Sequence, residues 1–241
     1  MPTTDFGKIQ EYSDFVSRDP FRNGLHYPAI LKSLGDIGGK HILDVGCGDG
    51  LFTTMLATKG AFVVGYDKAA ELIDEAKGHT VDGGGSLGFE VATPETFTGN
   101  EEFDAAISVM VLPYATSLMN LKDFFTSTHR ALKLGGSFSS VIFNPKFERF
   151  NEKIGTRRFV HLEGNTVQVN FLHPVTNEVV FTSLLRQFTQ EEYESAAKAA
   201  GFATCSWLPL YPSEISEKEF GEDFWKDVIA SQPYSVFVAQ K

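Results

Sequence analysis

The sequence predicts a doubly wound α/β fold, mostly parallel with an antiparallel last strand, plus an antiparallel β-hairpin insertion and an N-terminal helical cap. Three observations predict it. From about residue 36 to 143, strand-like apolar runs alternate with helix-like periodic runs. Such alternation means a parallel sheet with right-handed crossovers. From about residue 144 to 186 the helical runs stop, and strand-like runs follow one another across short turn segments, as in hairpins. The chain has 241 residues, enough for one sizeable core.

The elements follow in order. Phe6, Ile9, Tyr12 and Phe15 fall at helical spacing and predict a short amphipathic helix over 5–17. "AILKSLGDI", after Pro28, predicts a second helix. "HILDVG" is a strand, "GLFTTMLATKG" a helix stopped at Gly60, "AFVVGYD" a strand and "AAELIDEAKG" a helix. "LGFEVAT" and "FDAAISVM" are the third and fourth strands. "LMNLKDFFTSTHRALKLGG" predicts a long helix ended by Gly135-Gly136, and "SFSSVIFN" the fifth strand. "RRFVHLE", "TVQVNFL" and "EVVFTSLLR" form the insertion. In "TQEEYESAAKAAGF", Thr189 and Glu192 make a capping box, with Gly201 as the stop. "YSVFVAQ" closes the chain. The expected organisation is a single domain, 1–241: a cap (1–35), a core (36–143), a lid (144–186) and the end of the core (187–241).

Net charge is −10, which argues against a nucleic-acid partner, since those interfaces cluster Lys and Arg. No run approaches the ~18 apolar residues of a membrane span. Cys47 and Cys205 form no CxxC, so neither zinc nor disulfide exchange is signalled. The N-terminal stretch has no apolar signal-peptide core, so a cytoplasmic location is expected. His26, His41, His79 and His129 show no ligand spacing, and no metal is inferred.

The informative stretch is "HILDVGCGDG", His41 to Gly50. A strand, a glycine loop and a helix place backbone N–H groups and a positive helix end beside a crevice. Asp67 ends the second strand, where an acid can accept both hydroxyls of a ribose. A dinucleotide fingerprint reads G-x-G-x-x-G. Here Gly46, Gly48 and Gly50 alternate, and Leu51 stands where the third glycine belongs. Asp44, just before the loop, suits a cationic ligand better than a pyrophosphate.

"DVGCGDG" with Asp67 resembles the first motif of class I S-adenosylmethionine-dependent methyltransferases. "FDAAISVMVLPY" and "HRALKLGGSFSSVIFN" are similar to that family's fourth strand and to the helix, turn and fifth strand that follow. The likeness resumes at "FTQEEYESAAKAAGF" and the final strand. The whole build, with its ending "EDFWKDVIASQPYSVFVAQK", resembles bacterial small-molecule methyltransferases, of which the toxoflavin-synthase type is one group. The fold implied is Rossmann-like and the cofactor S-adenosyl-L-methionine.

The resemblance also implies roles. Gly46, Cys47 and Gly48 form the loop against the methionine part of the cofactor, and Asp44 orders that loop. Asp67 holds the ribose diol, and Lys68 lines the adenine pocket. Thr93 and Pro94 stand at the adenine edge, where the family often has an acid and a donating N–H. That is a departure, because proline has no N–H to give. Ser108 and Val109 offer carbonyls to the cofactor's ammonium group. Tyr12 and Arg22 close over its carboxylate.

The implied reaction is methyl transfer by in-line displacement onto a small-molecule acceptor, with alignment and desolvation supplied by the protein. No catalytic residue is identified. Tyr114 of "LPY" is a candidate to orient the acceptor. His161 and His173, in the insertion, read either as surface hairpin residues or as groups facing the acceptor. The residues leave open whether N, O or C is methylated, and whether the protein is a monomer or a homodimer. Two alternatives stand beside this reading: an NAD(P)-dependent oxidoreductase, and a non-catalytic protein that binds S-adenosylmethionine.

Overall fold

A computed structural model describes residues 18–241. The expected helix over 5–17, and Tyr12 with it, lie outside the described residues.

Arg22–His26 forms a π-helical turn, continued by α1 (Tyr27–Leu34). The core then runs β1 (His41–Val45), α2 (Leu51–Thr58), β2 (Phe62–Asp67), α3 (Ala70–Ala76), β3 (Ser86–Val91) and β4 (Phe103–Val109). A 3₁₀ turn at Leu112–Tyr114 leads to α4 (Leu118–Ala131) and β5 (Leu132–Phe143). The insertion holds β6 (Lys153–Ile154), β7 (Arg157–His161), β8 (Thr166–Leu172) and β9 (Val179–Arg186). After it come α5 (Gln190–Ala200), β10 (Thr204–Pro209), α6 (Glu214–Phe220), α7 (Glu222–Ser231) and β11 (Tyr234–Gln240).

The main sheet has the order β10-β11-β5-β4-β1-β2-β3. Pairings from β5 through β3 are parallel, and β11 runs antiparallel to both β5 and β10. This is the expected doubly wound arrangement with an antiparallel last strand, Rossmann-like in form. Successive strand residues feed opposite layers, as a period of two requires. Ile42, Ala105, Ile107, Val141 and Val236 pack with α1, α2 and α7, while Leu43, Ala106, Phe138, Ile142 and Phe237 pack with α4 and α5. The capping box is present: Thr189 Oγ1 accepts from Glu192 N at 3.1 Å, and Glu192 Oε2 from Thr189 N at 2.8 Å.

Three features differ from the expectation. The long helix stops at Ala131, not at the glycine pair. Leu132 is already a buried strand residue paired with Phe103, and the register jumps from Phe103–Leu132 to Ala105–Ser137 across Gly135-Gly136. The pair therefore makes an irregularity inside β5 rather than ending a helix. An additional edge strand, β10, precedes the last one. Two helices, α6 and α7, fill the segment between them.

The insertion is an antiparallel sheet of order β6-β7-β8-β9. The register pairs Phe159 with Val169, His161 with Val167, and Val169 with Ser183. Phe159, Val167, Val169 and Leu185 are buried in the same apolar cluster as Phe21, Phe143 and Tyr234. This sheet is therefore part of the main core as well as a cover over one end of it.

Candidate active site

The glycine loop leaves β1 and closes on itself. Gly46 N and Cys47 N both donate to the Tyr66 carbonyl, at 2.8 and 3.0 Å. Gly50 N donates to the Cys47 carbonyl at 3.1 Å, and Leu51 N to Asp49 Oδ1 at 3.3 Å. Gly48 N donates to Asp67 Oδ2 at 3.1 Å, and Asp67 Oδ1 accepts from Ala69 N at 2.9 Å. Five of the six amides from Gly46 to Leu51 are thus engaged within the protein. A pyrophosphate seated by free backbone N–H groups would have to displace these bonds.

Two of the glycines do different work. Gly46 has φ +70°, and a Cβ there would lie 2.5 Å from Val111 Cγ2. Its lack of a side chain lets the exit of β4 pass over the loop. Gly48, at φ +57°, has no atom within 4 Å of where a Cβ would stand. The loop is open at Gly48 and closed at Gly46.

Carboxylates surround the loop. Asp44 and Asp49 are buried, and Asp67 is half-buried. Asp44 Oδ2 accepts from Thr53 Oγ1 at 2.7 Å. Burial pushes the Asp44 carboxyl up to about 7, against the opposing pull of Thr53 and Arg22. Burial, followed by the charges of Asp44 and Asp67, pushes the Cys47 thiol up, so it is no nucleophile. Asp49 Oδ2 lies 4.0 Å from an Arg22 guanidinium nitrogen. The π-helical turn thus brings Arg22 over the glycine loop, with its guanidinium carbon 5.7 Å from the Tyr27 ring centroid.

The remaining predicted residues distribute unevenly. Lys68 is exposed at the end of β2. Thr93 and Pro94 follow β3, where Ala92 N donates to the Asp67 carbonyl at 3.0 Å. Thr93 N donates to Thr96 Oγ1 at 2.8 Å, and Pro94 is buried. Ser108 and Val109 end β4. The ladder of β4 with β1 runs to Ile107, while that with β5 continues to Val109. On the β1 side Ser108 and Val109 therefore run past the last paired residue, toward the glycine loop, while on the other side they pair with Ser140 and Val141 of β5. Met110 follows with φ +58°, a conformation rare outside glycine and concentrated near functional sites.

Tyr114 Oη lies 2.6 Å from Ser183 Oγ, joining the exit of β4 to β9. His161 is exposed and packs edge-on to Phe150, ring centroids 5.2 Å apart. His173 is exposed, and its Nδ1 accepts from Val175 N and Thr176 N at 3.3 and 3.2 Å. Its ring closes the β8–β9 turn. Among the described residues, no group of His, Cys, Asp and Glu is arranged to hold a metal ion.

Residues 42–136 match the family described as a methyltransferase domain. This stretch is a methyltransferase domain. It is 32% identical over 119 residues to a ubiquinone biosynthesis O-methyltransferase of a Ruegeria species, covering 48% of this chain and 47% of that one. It is 33% identical over 125 residues to the corresponding enzyme of Paraburkholderia phymatum, covering 47% and 54%. The chain spans about half the length of the curated relatives it matches. Over nearly the whole chain, the methyltransferase domain and its additions share a fold with solved structures. An S-adenosylmethionine-dependent methyltransferase from Mesorhizobium loti superposes with TM-score 0.63 at 19% identity, covering 93% of this chain and 99% of that one. The sugar N-methyltransferase KedS8 from a Streptoalloteichus species gives 0.65 at 18% identity, covering 95% and 92%.

Sequence reasoning missed two residues that the structure brings to this candidate site. Asp49 lies inside the quoted motif, and its acidic character within a glycine loop was the available signal. Ser183 carried no signal, because only the folded insertion brings it to Tyr114.

Proposed function

We propose that this protein transfers a methyl group from S-adenosylmethionine to a small-molecule acceptor. One observation carries the reading: a glycine loop with five of its six amides from Gly46 to Leu51 engaged internally is flanked by Asp44, Asp49 and Asp67, and of its three glycines Gly48 alone faces open space. Such a nest repels a pyrophosphate and attracts a cation. This disfavours the NAD(P) alternative.

The residues fit the cofactor part by part. A carboxylate has about four lone-pair sites, and Asp67 uses one on each oxygen for Gly48 and Ala69. The other two are oriented for a ribose diol. Asp44 and Asp49 provide negative potential for an ammonium and a sulfonium, and the ends of β4 at Ser108 and Val109 provide carbonyls. Arg22 is the cation for the amino-acid carboxylate. Bound there, the cofactor would supply a methyl group on a sulfonium, already activated toward an in-line nucleophile.

The acceptor side lies where the 3₁₀ turn at Leu112–Tyr114 meets β9. Half-buried Met110, Phe171 and Phe181 offer apolar surface nearby. A small, largely apolar acceptor suits such a mouth, and the net charge of −10 opposes a polyanion. The location proposed is the cytoplasm. Among the described residues, no helix is long and apolar enough to cross a membrane.

Titration calorimetry with S-adenosylmethionine, S-adenosylhomocysteine, NAD(H) and NADP(H) tests the cofactor. Binding of the first two alone is expected, and binding of a nicotinamide nucleotide instead would overturn the reading. Transfer of labelled methyl groups to a metabolite extract, with none to tRNA or DNA, separates an enzyme from a protein that only holds the cofactor.

A further inference from the structure

We propose that Asp19 and Arg157 are a positioning pair that sets the lid and the cofactor-side cap in one arrangement. The inference rests on the function proposed above. The two residues are 138 positions apart, yet an Arg157 terminal nitrogen donates to Asp19 Oδ2, with side-chain exposures of 2% and 6%. The other terminal nitrogen donates to the Thr156 carbonyl at 3.1 Å and to its Oγ1 at 2.9 Å. The guanidinium carbon stands 4.0 Å from the Phe171 ring centroid and 4.8 Å from that of Phe21. One side chain therefore grips β7, β8 and the cap together.

Asp19 opens the turn that carries Arg22. Its Oδ1 accepts from Phe21 N at 3.3 Å, and its carbonyl accepts from Asn23 N at 3.1 Å. Arg22 reaches the glycine loop at Asp49. The chain of contacts thus runs from the lid, through Arg157 and Asp19, to the turn that presents Arg22. The lid is also attached at the exit of β4, by Tyr114–Ser183 and by Arg186 Nη1, which donates to the Thr116 carbonyl at 3.2 Å. Together these attachments hold the lid across the end of the sheet where the cofactor and acceptor sides meet.

Energy alone does not explain the pair. A buried ion pair is commonly no more stabilising than a well-packed apolar pair of similar volume, and this site is lined by aromatic rings that would accept one. What the charges add is direction: the planar guanidinium spans Asp19 and Thr156 at once, and an apolar side chain would fix neither.

Removing one charge would leave the other buried and alone, so Asp19→Leu/Arg157→Met is the variant of choice, studied as the full chain. Calorimetry with S-adenosylhomocysteine is run on the wild type, this double variant, Arg22→Ala and the triple variant. Hydrogen exchange is followed over 153–186 with and without S-adenosylhomocysteine. The expected result is a loss of about tenfold in affinity in the double variant, non-additive with Arg22→Ala. Ligand-induced protection of 153–186 should be present in the wild type and absent from the variant. Wild-type affinity in the double variant, additive losses, or protection that survives would overturn the inference and leave the proposed function standing. A wild type that binds no S-adenosylhomocysteine would overturn both. If the double variant does not fold, Arg157→Lys carries the same readouts, since it keeps the charge but cannot span both partners.

Discussion

The Asp67 carboxylate accepts a hydrogen bond from Gly48 N at 3.1 Å, so the end of β2 and the middle of the glycine loop hold each other in place. The two residues are 19 positions apart, and all of α2 lies between them. The same carboxylate is turned by Ala69 N at 2.9 Å. The group proposed to hold the ribose is therefore oriented before any ligand arrives, which lowers the ordering cost of binding.

Asp67→Ala should weaken S-adenosylhomocysteine binding by about two to four orders of magnitude, because two charge-assisted hydrogen bonds of roughly 1.5–3 kcal/mol each are lost. Asp67→Asn should fall between, since an amide oxygen can still accept from a backbone N–H. Calorimetry decides it, and unchanged affinity in the alanine variant would remove Asp67 from the site.

Gly46 and Gly48 should fail in different ways when changed to alanine. At Gly46 a new methyl meets Val111 at 2.5 Å and the backbone sits at φ +70°. Overpacking and strain together should cost about 2–4 kcal/mol of stability. At Gly48 the methyl has room in the folded protein, so only the left-handed strain of roughly 1–2 kcal/mol applies. That methyl occupies the open side of the loop, and cofactor affinity should fall at least tenfold. Melting and calorimetry on both variants would show the separation, and identical behaviour would refute it.

The glycine loop and its acid partner were legible because they are local: a strand, alternating glycines and a second strand ending in Asp67 all fall within 27 residues of His41. The Thr189–Glu192 capping box and the lid hairpins were legible for the same reason. β10 was not, because Cys205 and Trp207 are only half-buried and Leu208 is exposed, so an edge strand covered on one side lacks a continuous apolar run. The end of α4 was misplaced because Gly135-Gly136 reads as a helix stop, whereas tertiary pairing of Leu132 with Phe103 ends the helix earlier. The Asp19–Arg157 and Tyr114–Ser183 contacts join residues 138 and 69 positions apart, and nothing periodic marks either partner.

Asp44 predicts opposite effects on stability and on binding. Its folded-state value of about 7 lies above the ordinary carboxyl value of 3.8. The unfolded chain releases this proton first as pH rises, so the carboxyl's contribution to stability is lost between about pH 4 and pH 7, by up to ~4 kcal/mol. Asp44→Asn cannot ionise and should melt higher than the wild type at pH 8, with little difference near pH 4. A cationic ligand favours the ionised form, so S-adenosylmethionine affinity in the wild type should rise with pH through about 7, and this rise should vanish in the variant. A melting difference that is the same at both pH values would refute the assignment.

The Tyr114–Ser183 contact predicts a measurable coupling between lid and core. Ser183 is 1% exposed, whereas Tyr114 is half-buried at the mouth. Excising the whole insertion is a poor test, because Phe159, Val167, Val169 and Leu185 belong to the main core and their loss would unfold the protein. Point variants avoid this. Tyr114→Phe leaves a buried serine hydroxyl without its partner, a cost of about 1–3 kcal/mol. Ser183→Ala removes the buried group itself, and the phenol beside the mouth can turn toward water, so it should cost less. The double variant should be less destabilised than the sum of the two, with a coupling of about 1 kcal/mol, within the range for residues in direct contact. S-adenosylhomocysteine affinity should stay within about twofold in all three variants, since neither residue touches the glycine loop. Denaturant melts give the cycle and calorimetry gives the affinity. Additive stability losses would show that the 2.6 Å contact does not hold the lid, and a large loss of affinity would place Tyr114 on the cofactor side of the cleft.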